Sequence, residues 1–61
     1  MKTYVIEDRD GFTLAVHADK DEAIRLARIQ EPDGVLTGTI IKDGKEAGGF
    51  LVGQLPANFG M

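Results

Sequence analysis

The stretch Asp19-Lys20-Asp21-Glu22-Ala23-Ile24-Arg25-Leu26-Ala27-Arg28 decides the fold of this chain. Asp19 and Glu22 have capping-box spacing: the Asp carboxylate accepts the Glu22 backbone N–H, and the Glu side chain returns the bond. The acids of this first turn also suit the positive end of the helix dipole. Ala23 and Ala27 fall at the centre of one stripe, with Ile24 and Leu26 on its flanks, so the helix can sit close on a sheet through its smallest residues. Arg25 and Arg28 face outward, and Ile29 falls off the stripe. Pro32 disfavours helical geometry at Glu31, and Asp33-Gly34 makes an exit turn, so the helix ends at Gln30 or Glu31.

Strand signals flank this helix on both sides. Residues 3–7 and 12–17 alternate with period two and are rich in β-branched and aromatic types. Arg9-Asp10-Gly11 reads as a three-residue loop with Gly in the left-handed position. That loop pairs Asp8 with Phe12, Ile6 with Leu14 and Tyr4 with Val16, and sets Tyr4, Ile6, Phe12, Leu14 and Val16 on one face. Residues 35–41 and 47–54 form the second hairpin. A two-residue Asp43-Gly44 turn, the favoured choice, pairs Leu36 with Leu51 and Ile40 with Ala47. A three-residue Lys42-Asp43-Gly44 loop pairs Leu36 with Phe50 instead, and a bulge at Gly48-Gly49 resets the pairing. The expected fold is therefore α+β, in two layers and ββαββ order, with one helix on one face of an antiparallel four-stranded sheet. The first and third strands take its centre. Residues 1–55 form this single domain, and 56–61, with Pro56 and Gly60, an irregular tail.

The chain has 61 residues, 43% apolar and 28% charged, as expected of one small folded domain rather than a disordered segment. It has no cysteine, so no disulfide or thiolate metal site supports the fold. No apolar run is long enough for a membrane span or signal-peptide core. The expected location is the cytoplasm, the host's if the chain is phage-encoded. The net charge of −3 disfavours direct, nonspecific nucleic-acid binding and fits a protein partner with a basic surface.

Several chemistries fail on inventory. With neither Ser nor Cys, the corresponding nucleophilic triads are excluded. His17, the one histidine, alternates to the face opposite Leu14 and Val16 and reads as a solvent-facing strand residue. A general base needs a substrate pocket, which so short a chain rarely encloses, so no enzymatic activity is expected. Glu7-Asp8-Arg9-Asp10-Gly11 fails as a calcium loop because its Gly comes too early and Phe12 stands where an oxygen ligand is needed. Gly34 and Gly38 lack the Gly-Lys-Thr/Ser continuation of a phosphate loop. No cofactor and no metal are expected. Lys20, Arg25 and Arg28 make one basic side of the helix, where Asp21 stands at pairing distance from Arg25.

The charge map gives the first candidate surface. Residues 1–22 hold six acids and three bases, which accounts for the whole −3, while the rest balance four against four. In a ββαββ order the helix returns toward the first turn, so Glu31 and Asp33 approach Glu7, Asp8 and Asp10. Arg9 and Arg28 oppose these five acids, and such an end can dock on a basic groove. The second candidate is the sheet face away from the helix, with Val5, Ala15, Thr37 and Ile41, and Phe50 or Val52 beside them. The tail residues Phe59 and Met61 are candidates to cover it.

Residues 19–28, followed by Ile41-Lys42-Asp43-Gly44-Lys45, resemble small bacterial ββαββ domains of unknown function that carry a polar-x-x-Glu-Ala-Ile-x-x-Ala-Arg helix and a Lys-Asp-Gly turn. Those domains tend to have Gly-Trp where this chain has Gly11-Phe12, and this chain departs from them in its acidic balance and Gly48-Gly49. The layout is also similar to some small phage anti-CRISPR proteins. Neither likeness carries a functional residue across. The resulting expectation is a non-enzymatic binding protein that blocks a partner surface, in its narrower form a phage-type inhibitor of a bacterial nucleic-acid-binding defence complex. The alternative is a structural or assembly protein that homodimerises through the open sheet face.

Overall fold

A computed structural model describes residues 1–53. The expected tail, residues 56–61, and the last two residues of the expected domain lie outside that range.

Asp19 opens the helix as read from the sequence: its carboxylate accepts the Glu22 N–H at 2.9 Å. The helix, α1, runs Lys20–Gln30. The return bond of the capping box is absent. Glu22 instead pairs with Arg25, and the Asp19 N–H is taken by Nδ1 of His17 at 2.9 Å. At the other end, the Arg28 guanidinium donates to the carbonyls of Glu31, the C-cap, and Pro32, tying down the chain as it leaves the helix. Ala23 and Ala27 are fully buried, and Ile29 is 65% exposed.

The strands are β1, Lys2–Glu7; β2, Thr13–His17; β3, Leu36–Lys42; and β4, Lys45–Val52. They form one four-stranded antiparallel sheet in the order β2-β1-β3-β4, with the first and third strands central as expected. The fold is thus α+β in ββαββ order. Asp43 and Gly44 both have positive φ, 53° and 81°, and Lys42 pairs with Lys45, so the favoured two-residue turn is the one formed.

Both hairpins leave the expected register part-way along an edge strand. At the first turn, Asp8 donates to the Phe12 carbonyl at 2.9 Å and Gly11 to the Asp8 carbonyl at 3.0 Å, which is the expected loop. Glu7 then pairs with Thr13, but Ile6 pairs with Ala15, leaving Leu14 as an extra residue. Beyond this bulge every partner shifts by one: Val5 opposes Val16, and Tyr4 opposes His17. The same happens in β4, where Ile41 pairs with Glu46 but Ile40 with Gly48, leaving Ala47 extra and setting Leu36 opposite Val52. Because side chains alternate faces, one inserted residue reverses which side chains point inward.

The consequences are corrections to the sequence reading. Ala15, expected on the open face, lies in the core at 7% exposure with Ile6, Ala23, Ala27, Leu36 and Val52. Val16 and Phe12, expected inside, are 54% and 69% exposed. Phe50 and Val52 also belong to the helix side, packed with the core. His17 shares the helix side with its partner Tyr4 instead of facing away. The helix packs on β1 and β2, where Ala15, Ala23 and Ala27 let the layers approach closely. Among the described residues only Ile6 and Leu36 are large and fully buried, worth about 1.5–3 kcal/mol each by area removed from water.

Candidate functional site

The helix runs back along β2, and the Gln30 side chain donates to the Leu14 carbonyl, so the helix C-terminus stands beside the first hairpin. The linker from Glu31 then enters β3 next to the end of β1, where Glu7 pairs with Thr37. Arg9, Gly34, Val35 and Thr37 line an open cleft of about 480 Å³ between turn and linker. The topology therefore gathers Glu7, Asp8, Asp10, Glu31 and Asp33 at one end of the fold.

These five acids do not play one part. Asp8 Oδ1 accepts the backbone N–H groups of Asp10 and Phe12, both at 2.9 Å, so this carboxylate builds the turn. Among the described residues the side chains of Glu7, Asp10, Glu31 and Asp33 make no hydrogen bond or ion pair. Arg28, expected to oppose them, is turned onto backbone carbonyls. Arg9 lies at the cleft wall.

The register places Glu7 on the sheet face opposite the buried Ile6. That open face carries Thr3, Val5 and Glu7 from β1, Thr13 and Val16 from β2, Thr37, Thr39 and Ile41 from β3, and Glu46, Gly49 and Leu51 from β4. Val5 and Ile41 are there as expected, both half-buried between neighbouring strands, while Ala15 is not. The sequence reading missed Val16 and Leu51, the latter 74% exposed. The run of apolar residues in 50–52 was visible, but only the bulge decides which of them faces out. None of these face positions is a lysine or an arginine.

On the opposite layer, the Arg25 guanidinium grips Glu22 through Nε to Oε1 at 2.8 Å and Nη2 to Oε2 at 2.6 Å, replacing the expected Asp21 pairing. That hydrogen-bonded contact, aided by the opposite charge, holds the Glu22 carboxyl below its ordinary pKa and raises that of Arg25. Among the described residues no group of His, Asp and Glu side chains is placed to hold a metal ion, and no helix is long and apolar enough to cross a membrane.

No family model, curated protein or solved structure matches this chain.

Proposed function

We propose that this protein acts by contact, as a non-enzymatic binding protein whose acidic end and open sheet face together occupy the basic surface of a protein partner. The observation that carries this reading is the position of Glu7. It belongs to the acidic end by topology and to the open face by register, so the two candidate surfaces meet at this residue. That surface combines the carboxylates of Glu7, Asp10, Glu31 and Asp33, without a partner among the described residues, with Val5, Val16, Ile41 and Leu51, and its described strand positions supply no cation. A low-dielectric apolar patch rimmed by one sign of charge favours an oppositely charged partner and speeds its approach. The resemblance to anti-CRISPR proteins adds the narrower version: a phage-type inhibitor covering the nucleic-acid groove of a bacterial defence complex, met in the host cytoplasm.

The test is affinity capture from bacterial lysate with the native chain and with a Glu7→Lys, Asp10→Lys, Glu31→Lys, Asp33→Lys variant. Asp8 is left intact because the turn needs it. The expected result is a captured nucleic-acid-binding protein that single-stranded DNA displaces and that the variant fails to retain. Equal capture by the variant removes the reading. Leu51 and Val16 support a second reading, homodimerisation through the same face. Sedimentation equilibrium decides it: a monomer throughout the micromolar range sinks the dimer.

A further inference from the structure

Lys2, Lys42 and Lys45 form an unbroken row across three neighbouring strands. Lys2 is the partner of Lys42 in the β1–β3 ladder, and Lys42 that of Lys45 in the β3–β4 ladder. Directly opposed residues share a face, here the helix side, and all three side chains are exposed. At the usual strand spacing the row is about 10 Å long. Like charges set opposite one another repel. Among the described residues none of the three makes an ion pair. The two carboxylates of the same hairpin are engaged or turned away: Asp43 binds the N-terminal ammonium at 3.1 Å, and Glu46 opposes Ile41 on the other face.

The remaining lysine joins the same side. Lys20 Nζ lies 4.5 Å from the centre of the Phe50 ring, which meets Tyr4 edge to face at 6.3 Å between centroids. Every lysine of the chain is thus on the helix side of the sheet, and one of them, Lys20, meets the ring of Phe50. The Glu22 carboxylate is held by the fork of Arg25, a planar donor matched to two oxygens. A line of ammonium groups is a series of point charges, suited to an anion whose charge repeats along its length. The net charge of −3 does not oppose this. Along β1, Lys2 and Glu7 are about 17 Å apart, beyond the Debye length of about 8 Å at physiological ionic strength.

We propose that the Lys2–Lys42–Lys45 row is a binding site for a linear chain of phosphates. It lies at the other end of β1 from the acidic surface and goes beyond the function proposed above. The experiment titrates the full chain, isotope-labelled for NMR, with sodium tripolyphosphate and separately with a short oligothymidylate. Shifts are expected at the three lysines, lost by about tenfold or more in affinity when all three become Gln and retained when all become Arg. For the oligonucleotide, three neutralised phosphates give a log–log salt slope of about −2. Binding of tripolyphosphate alone identifies a free phosphate chain. Binding of the oligonucleotide with shifts at Tyr4 and Phe50 identifies a single strand. The proposal falls if neither probe binds, if the Gln variant binds as well as the native chain, or if poly-glutamate binds as tightly as the phosphates. The acidic-end variant should bind the probes at least as well as the native chain, so this site and the protein-binding surface fail independently.

Discussion

The Phe50 ring occupies the place of a side chain at Gly38: a Cβ added to residue 38 would lie 2.2 Å from Cζ of Phe50 and 2.3 Å from Cε2. The two residues are cross-strand partners. An aromatic ring laid over a strand glycine restores the packing that the glycine lacks, and here it also extends the core toward Tyr4. Gly38→Ala should expel the ring and cost about 1–3 kcal/mol, a large share of the roughly 3–5 kcal/mol that a domain of this size can hold. Urea denaturation should also show strong non-additivity with Phe50→Ala, because the second change removes the clash that the first creates. Additive effects would mean that the ring does not rest on Gly38.

The bulge at Leu14 sets a sharp contrast between neighbours. Val16→Lys should change stability by less than about 0.5 kcal/mol, as at ordinary surface positions. Ala15→Lys should unfold the domain, because a charge would enter the contact with Ala23 and Ala27. Thermal unfolding of the two variants reads out the register, and the regular pairing of Ile6 with Leu14 would produce the reverse order.

Asp8 and Asp10 should separate structure from surface charge. Asp8→Ala removes the acceptor of two backbone donors and should cost about 1 kcal/mol, the scale of a lost helix cap. Asp10→Ala should leave unfolding unchanged. Equal losses in chemical denaturation would contradict the turn described here.

Glu22 gives a pH signature. Its carboxyl is held below the ordinary glutamate value chiefly by the Arg25 hydrogen bond. A lowered folded-state value contributes stability that is present above the unfolded pKa of about 4.3 and is lost as pH falls through the folded value. Arg25→Ala should raise the Glu22 pKa toward the ordinary value in an NMR titration. Because the pair is exposed to solvent, added salt should shrink the difference. An unchanged Glu22 titration would show that the guanidinium is not its partner.

Much of this was legible from residues within a few positions of one another. The cap at Asp19, the buried Ala23 and Ala27, the stop before Pro32 and both hairpin turns are short-range features, and each stands where its residues indicate. The gathering of Glu31 and Asp33 beside the first turn also followed from element order alone. The Glu22 side chain went elsewhere because two donors competed for it, and the Arg25 fork took both its oxygens while His17 took the Asp19 N–H.

Element order and turn positions were set by the amino-acid sequence itself, since caps, loops and helix stops act over one or two turns of chain. The faces of the two edge strands were decided only in the assembled sheet. There the close seat of the helix favoured Ala15 over a larger side chain, and the empty site at Gly38 favoured the ring of Phe50. Each choice left one residue without a cross-strand partner, Leu14 or Ala47. Strand alternation has period two, so a local pattern cannot reveal an insertion whose benefit comes from contacts on another element.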